Sequence, residues 1–235
     1  MSEWLIVAQR FCGPPGVANG GYLAGRLAGI VGGPSEVTFR RPTPLDRPVR
    51  VENVARHIRL VDRDLVTAEA EPTDLEIEVP PRVSRAEAEA AARAFPRFVD
   101  HPVPRCFVCG VARAPGDGLR IFPGPVPGRE QIYASPWSPD ASLGDESGFV
   151  RPELLWAALD CTGAFAVNEP PRGLALLGKL AARIEGRVHV GEPLVVIGWP
   201  IAREGRKLQA GTAIFTADRE TVAVARATWV LTSVK

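Results

Sequence analysis

Asp160 is the residue whose type and setting most strongly point to chemistry. It is the only charged residue between Glu153 and Glu169, inside the apolar run that starts at Pro152. A buried carboxylate is rare unless it is paired or functional. Such a group can act as a general base on water or as a nucleophile on a carbonyl carbon. The residues leave a second interpretation open, a structural hydrogen bond to the start of a facing helix.

A second candidate is the stretch Asn19-Gly20-Gly21-Tyr22, which opens a predicted buried helix ending before Gly32-Gly33-Pro34. Asn19 is a strong N-cap, and the amides that follow carry partial positive charge, so they can hold an oxygen atom. Glycine recurs at positions 21, 25 and 29 on one face. This stripe predicts the close approach of a sheet or a slender ligand, with plain packing as the alternative.

The cysteines predict no metal site. Cys106-Phe107-Val108-Cys109-Gly110 has the spacing of half a zinc knuckle, but no second cysteine pair exists and His101 is the only nearby candidate ligand. Tetrahedral structural zinc needs four ligands, so we expect these cysteines to be plain thiols. Cys12 and Cys161 have no neighbouring histidine in the sequence, so a nucleophilic role is unsupported.

Composition narrows the class of protein. The 235 residues carry a net charge of +1, which gives no electrostatic footprint for nucleic acid or an anionic membrane. No uncharged run approaches the ~18–20 residues that span a bilayer. Four cysteines without a recognisable signal segment are typical of reduced thiols. We therefore expect a cytoplasmic protein with no nucleic-acid or membrane partner.

The pattern of elements predicts an internal duplication. Each half has a short strand, a buried helix and then a run of strands: Glu3–Gln9, Glu36–Arg41, Val49–Leu60, Leu65–Glu71 and Leu75–Val79, then Gln131–Ala134, Leu174–Ile184, Leu194–Ala202, Lys207–Thr216 and Thr221–Leu231. The second helix is predicted to run unbroken from Pro152 towards Asn168. A capping box, Ser84 with Glu87, predicts a surface helix in the connection. The predicted units are 1–80, 81–128 and 129–235.

This α+β arrangement, with Gly-Gly at the helix start, resembles the hotdog-fold acyl-CoA thioesterase superfamily, and specifically its tandem, double-hotdog members. The resemblance implies two antiparallel sheets, each wrapped on a central helix and joined into one continuous sheet. Asn19-Gly20-Gly21 stands where such proteins commonly have His-Gly-Gly, and Asp160 falls where their acid falls, on the other helix. The first helix has Leu27 and Ala28 at the acid's place, and the second opens with Arg151-Pro152. One composite site per chain is therefore expected.

The resemblance implies hydrolysis of an acyl-CoA or related small-molecule acyl thioester. Asp160 is the expected catalytic carboxylate, with the amides at Gly20, Gly21 and Tyr22 holding the thioester carbonyl. Substrate contacts are expected from four residues: Asn19, Gly20, Gly25 and Trp156. Coenzyme A is part of the substrate and no cofactor is expected, while a homodimer is possible. Two basic segments, Arg40-Arg41 and Arg203 to Lys207, could meet coenzyme A phosphates. The alternative is a non-catalytic acyl or acyl-CoA binding protein on the same fold.

Overall fold

One continuous sheet organises the chain. The computed structural model describes residues 3–168, 173–218 and 220–232. The strands are β1 Glu3–Leu5, β2 Ser35–Phe39, β3 Val49–Val54, β4 His57–Asp62, β5 Leu65–Pro72, β6 Gly124–Pro125, β7 Tyr133–Trp137, β8 Ala175–Ile184, β9 Leu194–Glu204, β10 Lys207–Thr216 and β11 Thr221–Leu231. The α-helices are α1 Gly20–Val31, α2 Arg85–Arg93, α3 Pro152–Ala158 and α4 Cys161–Val167. In the part of the chain that these ranges cover, no helix is both long enough and apolar enough to cross a membrane.

The strand order confirms the predicted duplicated architecture. It runs β1-β3-β4-β5-β2-β8-β11-β10-β9-β7-β6, and every neighbouring pair is antiparallel. The order β1-β3-β4-β5-β2 repeats as β7-β9-β10-β11-β8. β2 and β8 pair through Ser35↔Ala182 to Thr38↔Lys179 and join the halves at the centre. No edge is left there for further strand addition.

The boundaries 1–80, 81–128 and 129–235 stay a prediction. The connection does more than link the halves, because Phe107, Val108 and Ile121 are fully buried in the main core. Its helix α2 begins with the predicted capping box, in which Ser84 accepts from the Glu87 amide and Glu87 accepts from the Ser84 amide. That prediction is confirmed.

The glycine stripe of α1 packs against α3. A Cβ atom on Gly21 would lie 2.8 Å from the Trp156 carbonyl oxygen, and one on Gly25 would lie 2.5 Å from Glu153 Cα. These contacts make α1 and α3 antiparallel, one helix from each half. These two glycines therefore permit the close approach of another helix. The predicted neighbour, a sheet or a slender ligand, is not what they contact. A Cβ atom on Gly29 would meet no neighbouring atom within 4 Å.

We predict opposite stability effects for two identical substitutions in α1. Gly25→Ala should destabilise the fold by about 1–3 kcal/mol, because the new methyl group meets α3 main chain. Gly29→Ala should stabilise it by about 0.5–1 kcal/mol, because alanine favours a helix interior and nothing obstructs it. Thermal unfolding checks both predictions, because a change of 1 kcal/mol in stability shifts the melting temperature of a domain of this size by roughly 2–4 °C. Equal melting temperatures for the two variants would contradict the packing described here.

Two predicted strands differ from the structure. Val49–Leu60 is not one strand but the hairpin β3–β4, which turns at Ala55 with a φ of 56°. Leu75–Val79 forms no strand. Its apolar side chains pack instead into a second core cluster with Ala88 and Ala91 of α2, which explains their spacing.

Candidate functional site

The second buried helix breaks at Asp160, so the prediction of one unbroken helix from Pro152 is wrong. α3 ends at Ala158, α4 begins at Cys161, and Asp160 has ψ −84°. The Leu159 carbonyl accepts a hydrogen bond from the Thr212 hydroxyl of β10, at 2.9 Å. This carbonyl lies at the break, where the regular i to i+4 pattern stops. The break places the Asp160 side chain against the start of α1 and the Cys161 sulfur 3.7 Å from the Cys106 sulfur.

The Asp160 carboxylate lies against the first turn of α1, in the other half of the chain. Its Oδ2 accepts hydrogen bonds from Asn19 Nδ2 at 2.8 Å and from the Gly21 amide at 3.0 Å. Asp160 is 3% exposed, and its Oδ1 has no hydrogen-bond partner among the described residues. One carboxylate oxygen is therefore fixed by α1, while the other is buried and accepts no hydrogen bond from the described residues.

The pKa of Asp160 is raised from its ordinary value of 3.8 to about 7. Burial is the largest cause, and the neighbouring Cys106 thiol raises the pKa further, while the hydrogen bonds from Gly21 and Asn19 lower it. A carboxyl group with a pKa close to neutrality is suited to general acid–base chemistry.

The start of α1 leaves one amide for a ligand. Asn19 Oδ1 accepts from the Tyr22 amide at 2.9 Å, which confirms the predicted N-cap. The Gly21 amide is taken by Asp160. The Gly20 amide donates to no residue in the described ranges, and Gly20 lines a cavity beside the carboxylate. Of the three amides predicted to hold a carbonyl oxygen, Gly20 has the open position.

This cavity is a groove of about 510 Å³. Its polar end holds Asn19, Gly20 and Asp160, and Arg40 and Arg41 also line it and are exposed. The rest of the lining is mainly apolar and includes Leu23, Phe39, Ala164, Phe165, Leu174, Leu176, Leu177, Trp229 and Val230. A groove of this size and character, with a few convergent polar groups, is typical of a small-molecule site.

Several residues predicted for the site lie elsewhere. Gly25 and Trp156 face each other in the α1–α3 contact, and neither lines the groove. Gly21 and Tyr22 also lie outside the groove lining. The Tyr22 ring stacks on Phe11 in the core, with ring centroids 3.9 Å apart. In the structure these residues pack α1, and the Gly21 amide also bonds Asp160; their part in the site stays a prediction.

Sequence reasoning missed a cluster of three buried thiols beside the carboxylate. The sulfur atoms of Cys106, Cys109 and Cys161 all lie within 4.8 Å of one another, and Cys106 and Cys161 are 3.7 Å apart. The Cys109 and Cys161 thiols, followed by the main-chain N–H groups of Cys109 and Val108, lower the pKa of the Cys106 thiol. Because the helix break supplies Cys161, spacing along the sequence gave no signal for the third member.

Comparison with solved structures identifies the fold. No protein-family model and no curated protein matches the sequence. The tesB protein of Mycobacterium avium subs paratuberculosis aligns with a TM-score of 0.63 and 16% identity, over 98% of this chain and 96% of that one. Acyl-CoA thioesterase II of Mycobacterium marinum aligns with a TM-score of 0.57 and 13% identity, over 92% and 91%. A conserved hot dog fold protein of Alicyclobacillus acidocaldarius aligns with a TM-score of 0.53 and 10% identity, over 100% of this chain and 93% of that one.

The chain is therefore a hotdog-fold protein of the tandem form. The alignment with the tesB protein covers 98% of this chain and therefore includes both halves and the connection between them. The whole chain thus shares the architecture of that protein. The sheet of two repeated five-strand units and the two antiparallel central helices agree with it. This confirms the predicted double-hotdog fold.

Proposed function

We propose that this protein hydrolyses acyl thioesters at one composite site between its two halves. The observation that supports this most strongly is the setting of Asp160. This buried carboxylate of the second half is held by Asn19 and Gly21 of the first half, and it lies at the polar end of an apolar groove. The names of two structural neighbours, a tesB protein and an acyl-CoA thioesterase, agree with this chemistry.

Asp160 is the general base in this proposal. Its Oδ1 removes a proton from water, and the water oxygen forms a bond to the thioester carbonyl carbon. The Gly20 amide donates to the carbonyl oxygen as negative charge develops on it, an interaction whose loss typically costs about 10²–10³ in rate. The C–S bond then breaks, and the departing thiolate takes the proton from Asp160. The products are a carboxylic acid and a thiol.

The second, symmetry-related position lacks these groups. There the helix start is Arg151-Pro152, and proline has no amide hydrogen to donate. At the place in α1 that corresponds by sequence position to Asp160 are Leu27 and Ala28, which are buried and apolar. One active position per chain follows from this asymmetry, and the chain's turnover should depend on a single carboxylate.

A thioesterase assay tests the proposal directly. The purified chain is given a panel of acyl-CoAs of differing chain length and aromatic character, and released thiol is measured. Hydrolysis of at least one class supports the proposal, and the preferred acyl group reports the shape of the groove. Saturable binding of acyl-CoA without release of thiol would instead favour a non-catalytic acyl-CoA binding protein.

Substitution of an arginine at the groove tests whether the protein recognises the phosphates of coenzyme A. Arg40 is paired with Glu69, whereas the Arg41 side chain donates only to the Val66 carbonyl among the bonds described. We expect Arg41→Ala to raise KM for an acyl-CoA about 2–5-fold, the size of an exposed charge contact. KM for the matching N-acetylcysteamine thioester, which has no phosphates, should not change. Arg203→Ala, in the other basic segment, lies outside the groove lining and is the control. Equal effects on both substrates would contradict phosphate recognition by Arg41.

A further inference from the structure

We propose that Cys106, Cys109 and Cys161 bind one zinc ion at the wall of the groove. Of the four cysteines, only Cys106 and Cys109 have metal-ligand spacing along the sequence, and two ligands are too few. The break between α3 and α4 brings the third thiol to within 3.7 Å of the first. Thiolate sulfur is the donor type that selects zinc among the common divalent ions.

The loop around the first two cysteines has the geometry of a metal-binding turn. The Gly110 amide donates to the Cys106 carbonyl at 2.9 Å and closes the turn. A Cβ atom on Gly110 would lie 2.4 Å from that carbonyl oxygen, so only glycine fits there.

The sulfur spacing matches a thiolate tripod. With Zn–S bonds of about 2.3 Å, two ligands of a tetrahedral zinc lie about 3.8 Å apart. Cys106 and Cys161 already have this separation, and all three sulfurs fall within 4.8 Å of one another. Only small side-chain movements are needed to place an ion at equal distance from all three.

The fourth coordination position faces the groove. All three cysteines line it. His101 lines it too, but its Nδ1 accepts from the Val103 amide at 3.0 Å. In the neutral ring the proton then lies on Nε2, which leaves no lone pair for a metal. Three protein ligands and one open position form the arrangement that zinc uses where it also binds water or a small ligand.

A buried donor lies beside the charge of the site. Three thiolates and Zn²⁺ carry a net charge of −1. Asn19 Nδ2 donates to the Cys106 sulfur at 4.0 Å and offsets part of that charge. Asn19 thus lies between the thiol cluster and Asp160, and bound zinc would tie the connecting segment to the start of α4, where Cys161 lies.

Metal analysis of the whole chain tests this inference without any measurement of turnover. Protein is produced with added Zn²⁺, kept reduced with a phosphine, dialysed and measured by inductively coupled plasma mass spectrometry. We expect one zinc per chain. Replacement by Co²⁺ should give thiolate-to-cobalt charge-transfer absorption and the intense visible bands of a tetrahedral ion. A wild-type chain that binds no zinc while all four thiols titrate as free overturns the inference.

Matched cysteine variants assign the ligands. Cys161→Ser should weaken zinc binding by more than about 100-fold in competition with a chromophoric chelator, since loss of an outer-shell partner alone costs about 10–100-fold. Cys12→Ser is the control, because Cys12 is equally buried but contacts Arg105 and Arg113 instead of the cluster. Unchanged affinity in Cys161→Ser, or an equal loss in Cys12→Ser, would refute this ligand set. If the Cys161 variant does not fold, the wild-type metal count still decides.

Discussion

Asp160→Asn should lower kcat for thioester hydrolysis by about 10²–10⁴-fold while substrate binding survives. The amide oxygen of asparagine can still accept from Asn19 Nδ2 and from the Gly21 amide, so the side chain keeps its place. Its nitrogen would occupy the position of the unpartnered Oδ1 and cannot take a proton from water. The melting temperature should stay the same or rise, because a buried amide costs less than a buried carboxylate.

Turnover and melting temperature should be measured on one preparation of this variant. Glu153→Gln makes the same chemical change on α3, at a carboxylate that lies outside the groove lining, and should leave kcat unaltered. An Asp160→Asn protein that melts earlier yet turns over normally would show that Asp160 has a structural role only.

Asn19→Ser should lower kcat about 10–10²-fold with little loss of stability. Serine remains a good N-cap and can accept from the Tyr22 amide, but it is too short to replace the hydrogen bond from Nδ2 to Asp160. A carboxylate displaced by about 1 Å can cost as much as 10² in rate. Asn19→Ala should show the same loss of kcat plus a loss of about 1 kcal/mol in the free energy of unfolding, because it also removes the cap.

A double variant separates positioning from other roles of Asn19. If Asn19 acts by orienting Asp160, adding Asn19→Ser to Asp160→Asn should lower kcat no further. The effects on KM should be small in both backgrounds. Independent, multiplicative losses of kcat would mean that Asn19 contacts the substrate itself.

Features that depend on residues close in the chain were determined by the sequence. Asn19 caps α1 and the Ser84–Glu87 capping box begins α2, because in each the partner amide lies three residues ahead. The turn at Asp62-Arg63-Asp64 separates β4 from β5, and Arg63 and Asp64 take the positive φ that such a turn needs. The repeated element order, together with the family resemblance that it carries, predicted the continuous sheet.

Other features carry no local signal and were decided by the tertiary structure. The hairpin turn at Ala55 lacks the glycine or asparagine that usually marks a positive φ. The break at Asp160 has no proline between Glu153 and Asn168 to mark it, and it lies next to a carbonyl that accepts a hydrogen bond from a hydroxyl on β10. The neighbour of Gly25 is α3 of the other half, and no feature of the local sequence indicates that contact.

The site itself combines both kinds of information. The sequence identified Asp160 as an isolated carboxylate and Asn19-Gly20-Gly21 as a helix start with donors, because both are properties of residue type and spacing. Which amide stays open, which carboxylate oxygen is fixed and which thiols meet depend on how α1, α3 and the connecting loop pack. Packing joins residues more than a hundred positions apart, and a hydrophobic pattern specifies the buried face of a helix but not the atoms that face will touch.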